Sequence, residues 1–171
     1  LETMKVPGIQ SVYTPPEACG RFWVVVSVKQ MYPGHSNHVG NAVIASTTGH
    51  YGVKGVITVD HDIAADDWDR IWWALATRFD PKRGTQIIDR GRSTPLNPAT
   101  PMDARDITSR VILDACTPYE WTNKPKEIFM DRAVLQKVSD RWNQYGFTGV
   151  SPVAGMIDRL TRPEVKKAKG K

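Results

Sequence analysis

The clearest pattern in the chain is a short, unbroken apolar run in the segment RFWVVVSVK at residues 21–29, rich in β-branched and aromatic side chains. Such a run fits a strand covered on both faces, which predicts a sheet with helices on each side. GVITVD (55–60) repeats the pattern, TQIID (85–89) is a shorter strand, and RVILDA (110–115) is the last. Between them the apolar period changes to 3.6. A helix is predicted from Ser36, as N-cap, to about Thr47, with the small residues Gly40, Ala42, Ala45 and Ser46 allowing close approach to the sheet and with Gly49 and Gly52 ending it. A second helix spans 64–78, capped by Asp62, with Ala64, Trp68, Ile71, Trp72 and Leu75 as its apolar stripe and Pro81 as its stop. A third spans 131–145, capped by Asp131, with Val134, Leu135, Val138, Trp142 and Tyr145 on one face and Gly146 at its end. Ser151-Pro152 opens a short amphipathic helix bearing Val153, Met156, Ile157 and Leu160.

Pro7-Gly8 and Pro15-Pro16 make residues 1–20 read as an irregular surface lead-in, and Pro95, Pro98 and Pro101 mark an irregular loop. The order of elements predicts an α/β fold: a mostly parallel sheet with helices on both faces, followed by C-terminal helices suited to dimer contact. Three segments follow: a lead-in (1–20), an α/β body (21–128), and terminal helices with a basic tail (129–171).

The 171 residues are 40% apolar and 24% charged, the balance of a chain that buries one core. No apolar run reaches 18 residues, so no transmembrane helix is expected. Of the net charge of +5, four units belong to Lys166, Lys167, Lys169 and Lys171, leaving the rest of the chain near +1. A nucleic-acid footprint needs basic residues clustered on a folded face, so no nucleic-acid partner is expected. Cys19 and Cys116 stand far apart, without CxxC spacing, which fits a reducing, cytoplasmic setting. No signal peptide precedes the first strand, and the start at Leu1 leads us to expect a piece of a longer enzyme or, alternatively, a small subunit of a split one.

Self-contained chemistry is sparse. His35 and His38 stand three apart, and Asp60-His61-Asp62 forms a second cluster, so a mononuclear metal site was weighed against a packed turn and a solvated helix start; the spacing favours the second pair of readings. The turn Tyr32-Pro33-Gly34-His35-Ser36 joins a strand to a helix N-terminus, yet no glycine-rich phosphate motif is present. There is no GxSxG elbow.

Three blocks read together carry a resemblance: VYTPPEACGRFWVVVSVKQMYPGHSNHV (12–39), VITVDHDIAADDWDRIWWALATRFDP (56–81) and VILDACTPYEW (111–121). In order and spacing they resemble the C-terminal domain of the UbiD family of reversible decarboxylases, over roughly residues 5–145. The resemblance implies an enzyme that removes or adds CO2 on an aromatic, heteroaromatic or α,β-unsaturated acid. It would use prenylated FMN with Mn2+ and K+ at the cofactor phosphate, the cofactor being supplied by a UbiX-type prenyltransferase. It also implies that the acid–base residues and the flavin and metal ligands lie in a preceding domain, so no catalytic, cofactor or metal residue is assigned in this chain and the chain alone is expected to be inactive. By resemblance, Leu113 and Ala115 face the substrate, with Ile87 on the neighbouring strand. His35 and His38 are polar candidates for a phenolic hydroxyl. The helix 131–145 is assigned to contact within a homodimer or higher homo-oligomer. The competing reading is a non-catalytic oligomerisation or regulatory subunit.

Overall fold

A computed structural model describes residues 5–104, 106–125 and 127–161, so the basic tail at Lys166–Lys171 lies outside the described residues. The chain forms two compact units, residues 1–122 and 123–171. The first is built on a five-stranded sheet: β1 (Ile9–Tyr13), β2 (Trp23–Val28), β3 (Gly55–Asp60), β4 (Thr85–Arg92) and β5 (Ile107–Ala115), in the order β1-β2-β3-β5-β4. β2, β3 and β5 run parallel, whereas β1 and β4 pair antiparallel at the two edges. Helices α1 (His35–Ala45), α2 (Gly49–Gly52), α3 (Trp68–Thr77) and α4 (Pro81–Gly84) complete the unit.

Helices do cover both faces. Val24, Val26, Val28, Val56 and Ile112 pack with Val39, Val43 and Ile44 of α1, while Val25, Ile57, Val59 and Ala115 pack with Ile71 and Ala74 of α3. The alternation of side chains along each strand divides one apolar run between two cores. The small residues of α1 have the expected use: a Cβ on Gly40 would stand 2.6 Å from Ile112 Cγ2, so the helix lies directly on the sheet.

Several expectations are corrected. Residues 9–13, read as irregular, form β1. Ile9, Ser11 and Tyr13 turn half-inward and Gln10 and Val12 outward, the alternation of an edge strand that the flanking prolines obscured. The first helix starts at His35 behind Gly34, whose φ of +75° needs no side chain, and Ser36 lies inside it, bonded to Asp114 instead of capping. Gly49 and Gly52 do not simply end that helix but bound the separate turn α2. The second helix starts at Trp68, and its N-cap is Asp67, which accepts from the Arg70 N–H at 3.1 Å; Asp62 is held by Arg78 instead. Trp72 points outward from this helix, 66% exposed, whereas the Trp73 ring lies within 5 Å of the guanidinium groups of Arg70, at 4.7 Å, and Arg78, at 4.9 Å. β4 and β5 are each three residues longer than expected, because Arg90–Arg92 and Ile107–Ser109 continue the hairpin past a register shift.

In the second unit the predicted helix 131–145 divides into α5 (Arg132–Asp140), capped by Asp131, and a 3-10 turn at Trp142–Tyr145. Leu135 is buried, but Val134 and Tyr145 are exposed. The last helix is shorter than expected: a 3-10 turn at Ala154–Met156 leads into α6 (Ile157–Leu160). The Met130 N–H donates to the Leu160 carbonyl at 3.0 Å, Arg132 pairs with Asp158, and Trp142 stacks on Phe147.

Candidate functional site at the carboxyl edge of the parallel strands

Parallel strands bring their C-terminal ends to one edge, and the residues there escape the apolar pattern. β2, β3 and β5 run out at this edge into Gln30, Asp60 and Asp114-Ala115-Cys116. Asp114 takes the Ser36 hydroxyl at 2.6 Å, the Thr58 hydroxyl at 3.2 Å and the Cys116 N–H at 3.0 Å. Asp60 takes the Gln30 amide at 2.9 Å, the Thr117 N–H at 2.8 Å and Arg78 Nη1 at 3.1 Å; Gln30 Nε2 also donates to the Thr117 carbonyl at 2.8 Å. Two carboxylates thus tie the loops leaving β2 and β5, and the end of α3, into one edge. Burial, and after it the Asp114 and Asp60 charges, push the Cys116 thiol well above its ordinary range, so it is an inert thiol under neutral conditions.

On the far side of Asp60, Arg78 reaches both oxygens of Asp62, at 2.9 and 2.6 Å. Burial raises the Asp62 carboxyl, but the Arg78 hydrogen bonds and the Arg78 and Arg70 charges outweigh it and leave it below the usual value. A carboxylate so depressed adds stability above its unfolded pKa and loses it as pH falls through the lower folded one. Asp62→Asn is therefore expected to cost stability at pH 7, and the cost is expected to shrink as pH falls below the ordinary carboxylate range; urea unfolding of both proteins across pH 2–7 checks it, and a constant difference would contradict it.

The sequence-derived candidates fall into two groups. Ile87 pairs with Val111, two residues before Leu113, so Ile87, Leu113 and Ala115 share the α3 face. Ile87 is 65% exposed on the edge strand, Leu113 is half-buried, and Ala115 is completely buried. His35 and His38 stand at the β2 end, at the start of α1. His35 is fully buried; His38 is exposed, with its Nδ1 2.6 Å from the Tyr32 hydroxyl. Sequence reasoning passed over Asp114, Gln30 and Arg78. Their signal is present nevertheless: an acid at the end of an otherwise apolar strand occurs twice, in GVITVD and RVILDA.

A cleft of about 100 Å³ opens here between Gln30, Ser36, Arg83, Asp114, Cys116 and Tyr119. Drug-sized and cofactor sites take roughly 300–1,000 Å³, so this cleft does not hold a flavin. Among the described residues, no three His, Cys, Asp or Glu side chains come together to hold a metal ion. No helix is long and apolar enough to cross a membrane.

The fold and its polar edge define the class, an α/β domain with a parallel centre and antiparallel margins. A family model for the 3-octaprenyl-4-hydroxybenzoate carboxy-lyase C-terminal domain matches residues 1–115. The chain belongs to the UbiD family, as its C-terminal domain. Solved structures share the fold. The UbiD-class enzyme HmfF of Pelotomaculum thermopropionicum, in complex with FMN, is 24% identical over 73% of this chain and 27% of its own, with a TM-score of 0.65. The vanillic acid decarboxylase of Sedimentibacter hydroxybenzoicus in its closed form is 26% identical over 84% and 29%, with a TM-score of 0.64. The apo 3,4-dihydroxybenzoic acid decarboxylase of Enterobacter cloacae is 22% identical over 85% and 30%, with a TM-score of 0.64. The chain spans about three-tenths of the length of these structures.

Proposed function

We propose that this chain is the pocket-closing and oligomerisation part of a carboxy-lyase. The parent would catalyse reversible non-oxidative decarboxylation of an aromatic, heteroaromatic or α,β-unsaturated carboxylic acid. The observation that carries the reading is the family match over residues 1–115, together with structural neighbours that are decarboxylases or carry FMN. In that enzyme prenylated FMN, made by a UbiX-type partner and bound with Mn2+ and K+ by another domain, acts as the electron sink. The residues of this chain supply walls. Leu113 and Ile87 offer apolar surface on the α3 face, and Ala115 follows Leu113 along that face as a completely buried position. On the α1 side His38, exposed beside the Tyr32 hydroxyl, supplies a polar group, and His35, fully buried behind it, shapes the turn that carries it. The second unit leaves Ile128, Val134, Tyr145, Phe147 and Val150 exposed, apolar surface that supports its use in contact between copies of the enzyme.

The test is anaerobic CO2 release from a panel of aromatic and cinnamic-type acids, using the full-length gene product co-expressed with UbiX beside the 171-residue chain. Release by the long product and none by the short chain is expected. A flavin-loaded long product inert on the whole panel, or decarboxylation by the short chain alone, would overturn the reading. A native product no longer than this chain, with no flavin bound, would favour a non-catalytic oligomerisation or regulatory subunit of a split enzyme.

A further inference from the structure

The turn from β2 into α1 closes on an imidazole. His35 is the first residue of α1, with no exposed surface, and its Nδ1 accepts the Met31 N–H at 3.1 Å across the turn. An accepting Nδ1 carries no proton, so the neutral ring carries its proton on Nε2. That nitrogen is buried with only the Pro7 carbonyl near it and no hydrogen bond of good geometry. One ring face stacks on Tyr32, with centroids 4.1 Å apart. Cε1 lies against Gly8, where an added Cβ would come within 2.8 Å of it and 2.5 Å of the Lys29 carbonyl; Gly8 has a φ of +77°, so glycine suits this lid on both counts.

A second proton has nowhere favourable to go. On Nδ1 it would point at the Met31 N–H, donor against donor. The titratable or charged neighbours on the enclosing elements are Lys29 at the end of β2, Tyr32 in the turn and His38 on α1, the last with its ring 6.3 Å away. Asp114 of β5 is occupied by Ser36, Thr58 and the Cys116 N–H, and the positive end of the α1 dipole also opposes a cation.

We propose that His35 is a proton-operated latch: neutral, it holds the 30–35 turn shut onto α1; protonated, it drops the Met31 N–H and frees the turn, separating Tyr32 from His38. Burial holds the His35 pKa below its ordinary 6.5, with proximity to His38 acting the same way and the Pro7 carbonyl opposing. A histidine depressed in the folded state gives its full stabilisation above the unfolded pKa and loses it as pH falls from about 6.5 towards the folded value. The latch thus opens as pH falls below the ordinary histidine range.

The test is NMR on the 171-residue chain and does not depend on the parent's activity. Ring 15N shifts at pH 7.5 are expected to show His35 as the Nε2–H tautomer. Protection of the Met31 amide, corrected for intrinsic exchange, is expected to fall at least tenfold as pH is lowered from 7 through the titration of the His35 ring, with the same midpoint as that titration. His35→Gln keeps an acceptor and is expected to abolish the pH response; His38→Gln is expected to keep it. An Nδ1–H tautomer, a Met31 amide whose protection ignores His35 protonation, or loss of the response in His38→Gln would overturn the proposal. Should His35→Gln not fold, the coincidence or separation of the two wild-type midpoints decides.

Discussion

Arg110→Met is expected to lower the unfolding free energy of the first unit by about 3–5 kcal/mol, shifting its urea midpoint down by about 2 M. Arg110 lies on β5, is only 4% exposed, and among the described residues forms no ion pair with a carboxylate. Its guanidinium donates to four backbone carbonyls: Ile44 at 3.4 Å, Gly49 at 3.2 Å, and those of His50 and Arg92. These acceptors come from the end of α1, from α2 and from β4, so a single cation closes three chain reversals. Carbonyls at a helix C-terminus carry partial negative charge, which is what makes a buried cation tolerable there. Burial lowers the Arg110 pKa, but from a value so high that the group stays charged. Methionine fills part of the volume and removes the guanidinium from all four carbonyls; Gly49 keeps the Val53 N–H, and the others bear the loss as a desolvation cost. Arg110→Lys keeps the charge, but a three-donor ammonium cannot span the four sites, so it is expected to lose about half as much. Equilibrium unfolding followed by tryptophan fluorescence checks both; a methionine variant within 1 kcal/mol of the parent would show that water satisfies the carbonyls.

Arg110 also illustrates what could be seen in the sequence and what could not. The central strands were legible, because a strand buried on both faces shows an unbroken apolar run, and so was the use of both faces. Edge strands were less so. β1 is half polar and flanked by prolines, so its pairing with β2 is a tertiary fact that local pattern does not encode. Helix starts shifted for a related reason. Asp62 and Asp67 are equally good caps by type, and the choice went to Asp67 because Arg78, sixteen residues on, claims Asp62. The candidate site was partly visible: His35 and the strand ends stood out, but Asp60 and Asp114 matter through side-chain and backbone partners 18 to 78 residues distant. An arginine whose partners are all backbone carbonyls has no sequence signature, since every residue supplies a carbonyl.

Gly49→Ala is the second large effect and tests the same corner from the other side. Gly49 and Gly52 read in the sequence as helix stops, yet the demand on Gly49 is steric: a Cβ there would lie 1.8 Å from the Val43 carbonyl oxygen and 2.8 Å from the Ser46 hydroxyl. Both belong to the α1 terminus, where Ser46 Oγ donates to the Val43 carbonyl at 2.7 Å and accepts the Gly49 N–H at 3.0 Å. At Gly40 the obstacle is the movable side chain of Ile112, and alanine there gains about 1 kcal/mol of helix propensity, so Gly40→Ala is expected to cost little net. At Gly49 the obstacle is backbone and the α1–α2 reversal must open, which is expected to cost about 3 kcal/mol or more. Opening it also draws the Gly49 and His50 carbonyls away from Arg110, so part of the loss in Gly49→Ala is the loss already counted in Arg110→Met. The double variant is therefore expected to fall short of the sum of the singles by about 1–2 kcal/mol. Strict additivity in the same urea unfolding measurement would mean that the reversal opens without disturbing the guanidinium, and that the two constraints are separate.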